Sequence, residues 1–277
     1  MKVNRKNDYA FKRIFGHEDS KEVLARFLSV VLNVPIEADE LTLIQTELSP
    51  EYAADKSAVL DVQVRRSNAH EKMNIEMQQS NEGNIERRIL YYWGKSFAGE
   101  LKSGQDYEAL PRQISIVIAD FDVFEWKDST KYHGVFHIRE EEEGLLFSDA
   151  LEIHVLELPK RRKPPLNLNE LDCWLAYLDN TEEGETMDQI ATQEPMIRRA
   201  MIIEEAFMKN ESERYLYELR EKGRHDFDNA VITAEKRGRV EGRAEIARSM
   251  LAKDMPMELI KEFTGLSLEE LKTLRGG

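Results

Sequence analysis

Cysteine is almost absent: Cys173 is the only one in the chain. A single thiol rules out a disulfide framework or a thiolate metal cluster within one chain, and it suits a reducing cytosol. Long apolar runs are missing as well. No segment approaches the ~20 consecutive apolar residues that a spanning helix needs. The opening "MKVNRKNDYAFKRIFG" holds no apolar core of signal-peptide length. The expectation is a soluble cytoplasmic protein without a membrane partner. A glycine-rich phosphate loop and a Gly-x-Ser-x-Gly elbow are both lacking, so nucleotide hydrolysis and serine-hydrolase chemistry have no support. The six histidines show no metal-ligand spacing; His133 and His137 are four apart, but in an expected strand. No repeat of fixed period occurs. Basic excess is lacking too. The formal net charge of -14 disfavours non-specific adsorption to nucleic acid or anionic membrane. It leaves room for DNA binding through a local basic patch or bound metal ions.

What is present is enough apolar residue, 41%, to build a core, and an unusually high charged fraction, 33%, which points to long solvated helices. In "HEDSKEVLARFLSVVLNVP", Val23, Leu24, Phe27, Leu28, Val31 and Leu32 share one helical face. Asp19 is the expected N-cap, with Glu22 as its capping-box partner. A shorter helical element precedes it, with Phe11 and Phe15 one turn apart. Strands follow in "LTLIQTEL", in 57–66 and in 72–78. The first of the last two sets Val62 and Val64 on one face and Asp61 and Gln63 on the other. The second sets Met73, Ile75 and Met77 against Asn74, Glu76 and Gln78. The link "SNAH" has a hairpin's length. A helix through "NIERRILYYWGKSFAGEL" has a buried stripe of Ile85, Ile89, Tyr92, Trp93 and Phe97; Tyr91, Tyr92 and Trp93 read as core, with one ring at the site rim as the alternative. Residues 113–124 read as a central strand, apolar on both faces at its start. "YHGVFHI" and "LEIHVLEL" add two more strands.

Past "LPKRRKPP" nothing reads as strand. The expected organisation is an α/β domain over 1–165 and a helical region over 166–277. That region opens on a helix capped by Asn167 or Asn169. It continues through a long, charged, extended helical stretch, and ends in a helix, a Thr-Gly turn and a helix capped by Ser267. Residues 222–248 hold seven Lys/Arg and five Asp/Glu, the balance of a solvated face with i,i+4 pairs. The last helix begins with acidic residues, where base-reading side chains would sit. Packing or homodimerisation suits it better, and a dimer would bring two sites to two DNA strands.

The pattern that carries chemistry lies in the hairpin. If "SNAH" closes a regular hairpin, Arg66 pairs with Glu71 and Asp61 lies directly opposite Glu76 on the same face. Their Cβ atoms would be about 5 Å apart. Two carboxylates so close repel unless one is protonated, water screens them, or a cation sits between. A hard divalent cation fits: magnesium takes one or two carboxylates and fills its shell with waters and phosphate oxygens. In phosphodiester cleavage it polarises the phosphoryl oxygen and lowers the pKa of bound water. Gln78, one pleat repeat on, could orient that water or bond the scissile phosphate. The bland alternative is a plain solvent-washed strand face, where Asp, Asn, Gln and Glu are common.

Five stretches then resemble, in order, the recombination-promoting nuclease/transposase (Rpn) family, a branch of the PD-(D/E)XK nuclease superfamily. They are "NDYAFKRIFG", "DKSAVLDVQV", "NIEMQQ", "ERRILYYW" and "LELPK", across about residues 4–162. The resemblance implies a restriction-endonuclease-like mixed sheet flanked by helices, and Mg2+-dependent (or Mn2+-dependent) DNA endonuclease chemistry. It also implies a role around recombination, mobile elements or phage defence. On it, Asp61 is the first acidic metal ligand, and Glu76-Met77-Gln78 is the (D/E)XK element. Gln78 departs from the superfamily's lysine, although the resemblance implies that glutamine is usual in this branch. Glutamine offers a hydrogen bond without a charge. Either a nearby cation compensates or the enzyme is slow. Lys56, Arg87 and Arg88 are the candidates by proximity, and Lys160 is more remote; each also reads as a surface charge. Some superfamily members take an accessory metal ligand from the first helix, which here would be Glu22. Asp8, Phe11, Lys12 and Phe15 match the N-terminal signature, and Lys12 could reach a phosphate. The alternative function is a weak or inactive nuclease fold serving as a DNA- or partner-binding scaffold.

Overall fold

The computed structural model describes residues 2–44, 62–81, 83–126, 128, 130–161 and 168–276. Among them six strands form one mixed sheet: β1 (Leu41–Ile44), β2 (Val62–Arg66), β3 (Glu71–Gln78), β4 (Arg112–Ala119), β5 (His133–Arg139) and β6 (Leu146–Glu157). Their order is β1-β2-β3-β4-β6-β5. β1, β2 and β3 pair antiparallel, β3-β4 and β4-β6 pair parallel, and β5-β6 pair antiparallel. The expected α/β architecture is therefore present, with the hairpin abutting the parallel centre. Two compact units result, Met1–Tyr217 and Glu218–Gly277.

In the first unit, period-two alternation sorts the strands onto two covered faces. Val62, Val64, Met73, Ile75, Met77, Ile114, Ile116, Ile118 and Leu156 share one core with the helices α1 (Asp8–Phe15), α2 (Lys21–Leu32), α4 (Glu170–Asp179), α5 (Gly184–Gln193) and α6 (Pro195–Lys209). Phe15 meets Phe27 at 5.2 Å between ring centroids, and Phe27 meets Trp174 at 5.5 Å, edge-on. Each such buried side chain contributes about 1.5–3 kcal/mol. The opposite face, with Val117, Leu151, Ile153 and Val155, receives Ile85 and Ile89 of α3 (Ile85–Ala98). Trp93 packs there half-buried, whereas Tyr91 points outward at 56% exposure, contrary to its reading as core.

The helices after the sheet differ from the expected extended stretch. Glu194 caps α6 with Pro195 at its start, and Asn210 caps α7 (Glu211–Leu251), so the run breaks into three. Ile190, Ile197, Ala200 and Phe207 are buried. The composition shift near 165 marks where strands stop, while the division by compactness falls after Tyr217. Asn169 caps α4 in a capping box with Asp172. The first helix boundary also differs. α2 starts at Lys21, and a short turn before it is capped by His17 with Ser20. The Asp19 carboxylate instead binds the Arg13 guanidinium at 2.8 and 2.9 Å, a stronger partner than a backbone amide. In the second unit, α8 (Met257–Thr264) ends on Gly265 at φ +70, and Ser267 with Glu270 caps α9 (Leu268–Gly276).

A polar ladder crosses the strand face beneath the larger core. Arg66 meets Glu40 at 2.7 Å and Glu71 at 3.7 Å; Arg112 joins Glu71 at 2.9 Å and also binds Glu152. Glu152 meets His154 at 2.7 Å, and His154 meets His133 at 2.8 Å. Burial, then the charges of His154 and Lys131, lower the His133 pKa from 6.5 to about 4. The unfolded chain therefore takes up a proton that the folded chain refuses. Stability from this group is present above pH 6.5 and is lost as pH falls toward 4. The expected loss is up to about 3 kcal/mol. Urea midpoints at pH 7 and pH 5 should separate in the wild type and draw together in His133→Gln.

Candidate functional site

The hairpin has the regular register. Val62 pairs with Ile75, Gln63 with Asn74, Val64 with Met73, Arg65 with Lys72 and Arg66 with Glu71. Glu76 is the next position along β3. Asp61 and Lys56 lie outside the described residues.

Because Met73, Ile75 and Met77 enter the larger core, Asn74, Glu76 and Gln78 project to the face that α3 covers. Glu76 is only 6% exposed and Gln78 8%, so the solvent-washed reading of this face is overturned. Each Glu76 oxygen accepts one amide. Asn74 Nδ2 donates to Oε1 at 2.8 Å, and Gln78 Nε2 donates to Oε2 at 3.0 Å. Among the described residues no cation forms an ion pair with it. Burial raises its pKa, opposed by the Asn74 hydrogen bond, the charge of Arg88 and the Gln78 hydrogen bond. Asn74 was not foreseen as a site residue. Its signal was the period-two run Asn-x-Glu-x-Gln, in which an amide reads as ordinary strand polarity.

The other candidates are scattered. Arg88, half-buried on α3, is the cation whose charge acts on Glu76; Arg87, one position earlier, points to solvent. Lys12 pairs with Asp8 at 2.9 Å. It lines a cleft of about 380 Å³ with Tyr9, Arg13, Val62 and Gln63. Glu22 pairs with Arg199 at 3.3 Å in the helical layer on the opposite side of the sheet, so it is not brought to Glu76. Lys160 is spent on structure. It bonds Glu157 at 2.7 Å and the Phe124 carbonyl. Glu157, fully buried, also accepts from the Val123 and Phe124 amides at 2.6 and 3.1 Å and from the Trp126 indole. That carboxylate anchors the loop leaving β4. Lys6 borders the site end of β3 and β4: its Nζ meets Asp120 at 2.7 Å, and its carbonyl accepts from Gln79.

A buried carboxylate held by neutral amides, with hard oxygen donors and no ion-pair partner among the described residues, is an environment that a hard divalent cation satisfies. Among the described residues no three His, Cys, Asp or Glu converge as a complete metal set. None of their helices is long and apolar enough to cross a membrane.

Comparison with known families gives two matches. A family model described as PD-(D/E)XK nuclease family transposase matches residues 5–234. A second, described as the Rpn/YhgA-like nuclease family C-terminal HTH domain, matches residues 241–276. No curated protein and no solved structure matches the chain.

Proposed function

Because the chain belongs to the PD-(D/E)XK nuclease family of transposases and carries an Rpn/YhgA-like C-terminal HTH domain, we propose that it is a divalent-metal-dependent DNA endonuclease. The observation that carries this reading is Glu76, a buried carboxylate bracketed by two amides and lacking an ion-pair partner among the described residues. The hairpin register, carried one step past Val62–Ile75, would set Asp61 opposite it. Asp61 and Glu76 would hold Mg2+ or Mn2+. When bound, the ion supplies Lewis-acid polarisation of the phosphoryl group and a water of lowered pKa.

Asn74 and Gln78 fix the Glu76 carboxylate in rotation, so its remaining lone pairs keep one direction. The Gln78 side-chain oxygen, Oε1, would accept a hydrogen bond from the attacking water. In hydrolysis the water oxygen bonds to phosphorus, the bond to the leaving oxygen breaks, and that oxygen acquires a proton. The products are one phosphate monoester and one hydroxyl. Cytoplasmic action on DNA in recombination, mobile-element movement or phage defence belongs to the same proposal, as does homodimerisation to serve both strands.

Supercoiled-plasmid nicking with Mg2+ or Mn2+ tests it. Wild type is expected to nick, and Asp61→Ala and Glu76→Ala are each expected to be silent. Nicking that survives both substitutions would sink the assignment. A specific feature favours a scaffold as the second reading: Gln78 gives its amide to Glu76 and brings no positive charge. A folded wild type inert with every divalent metal would select the scaffold.

A further inference from the structure

Gln78 leaves one part of the site unassigned, the positive group that holds the transferring phosphate. Its amide nitrogen is already given to Glu76 at 3.0 Å. Among the described residues the candidate lysines are committed elsewhere: Lys6 to Asp120 at 2.7 Å, Lys12 to Asp8 at 2.9 Å, and Lys160 to Glu157 at 2.7 Å. Resting on the nuclease reading above, we propose that Arg88 of α3 holds the scissile phosphate, so the third member of the site comes from the helix packed over the strand and not from the strand.

Three observations converge on it. Arg88 follows Ile85 by three residues and so flanks the Ile85–Ile89 stripe that α3 buries against the sheet; it is half-buried at the edge of the face that carries Glu76, whereas Arg87 is exposed. Its charge acts on Glu76, yet among the described residues the two form no ion pair within 4 Å. Its Nε is shut from solvent and has no hydrogen-bond partner among the described residues. A buried donor left unmade is a cost in the folded state. A partner arriving with substrate would remove that cost. The guanidinium carbon stands 5.7 Å from the centre of the Tyr92 ring, a contact that orients the fork. A guanidinium also matches two phosphate oxygens at once, which neither glutamine nor a single ammonium does. Arg88 transfers no proton; it donates hydrogen bonds to the oxygens that gain charge as the phosphorus–oxygen bond to water forms.

The test uses the full chain with Mn2+ and a short DNA duplex, comparing wild type, Arg88→Met and Arg88→Lys after thermal melting has shown each to be folded. Arg88→Met should lower the single-turnover cleavage rate about 100-fold. It should also weaken Mn2+-dependent duplex binding at least about tenfold. Mn2+ affinity without DNA should stay level or tighten, since a cation beside Glu76 is gone. Arg88→Lys should recover part of both losses. Mn2+-dependent duplex affinity unchanged in Arg88→Met overturns the assignment, whether or not the wild type cleaves. Mn2+ affinity that falls without DNA overturns it as well, because Arg88 would then act by shaping the metal site. An inert wild type whose Mn2+-dependent duplex binding is lost in Arg88→Met removes the nuclease reading and keeps Arg88 on the phosphate. A wild type with no Mn2+-dependent binding removes both.

Discussion

Glu76→Gln is expected to abolish cleavage while making the metal-free protein more stable. The two effects have one cause. Burial raises the Glu76 pKa because the ionised form is poorly solvated. The folded chain thus holds a proton that the unfolded chain releases in the ordinary carboxylate range. Stability from this group is full below that range and is lost as pH rises through the elevated value. Wherever it is ionised, Glu76 is a buried charge with no ion-pair partner among the described residues; a glutamine of the same shape removes that charge, and one of the two flanking amides, Asn74 or Gln78, turns over to present its oxygen to the new NH2. The gain should be on the order of 1 kcal/mol, a rise in melting temperature of about 2–4 °C for a protein of this size. Cleavage should fall by more than about 1000-fold, because a neutral amide cannot replace a carboxylate on a divalent cation. Adding Mn2+ should invert the stability order: it stabilises wild type by mass action and leaves the variant unmoved. Thermal melts with and without Mn2+ read all of this. A Glu76→Gln protein less stable than wild type without metal would show the carboxylate to be a structural anchor.

Glu204→Ala should be among the most destabilising single changes, at about 3–5 kcal/mol. Arg5 Nε meets Glu204 Oε1 at 2.7 Å, Arg5 Nη1 meets the Tyr177 carbonyl at 2.9 Å, and the Tyr177 hydroxyl also donates to Glu204. All three residues are buried, and the Arg5 guanidinium lies 4.1 Å from the Tyr177 ring centre. The group ties the N-terminal segment to α4 and α6. Removing the carboxylate strands a buried guanidinium and a buried hydroxyl together. Arg5→Met with Glu204→Leu should recover most of the loss, since neither charge then remains buried. Urea denaturation of the two single variants and the double variant checks it. Additive losses in the double variant would show that the pair is not energetically coupled.

The hairpin was legible because its signals are local. A four-residue link and strict alternation fix the register and the face of every residue from 62 to 78. What the alternation cannot say is whether a polar face meets water. Glu76 and Gln78 lie on the face that α3 returns over, where Ile85 and Ile89 cluster with Val117 and Val155. The same helix phase separates Arg88 from Arg87, which sequence proximity treats alike. Asp19 misled for the opposite reason. Its local pattern is a good cap, but the Arg13 guanidinium competes for the carboxylate and wins. In the C-terminal half, the charge of α7 masked the apolar stripes of α5 and α6, which pack into the sheet's core, whereas the capped helix α4 is legible. Lys160 looked like a possible site cation because nothing local reveals that Glu157, at the end of an apolar strand, needs it. Asp61, the other jaw of the proposed site, lies outside the described residues.

On the proposed function, Asp61 and Glu76 share one divalent cation. Mn2+ titration followed by electron paramagnetic resonance, on wild type, Asp61→Asn and Glu76→Gln, tests it without relying on DNA or turnover. A bound-Mn2+ signal in wild type that is lost or greatly weakened in both variants is the predicted result. Equal Mn2+ binding in all three proteins would contradict it.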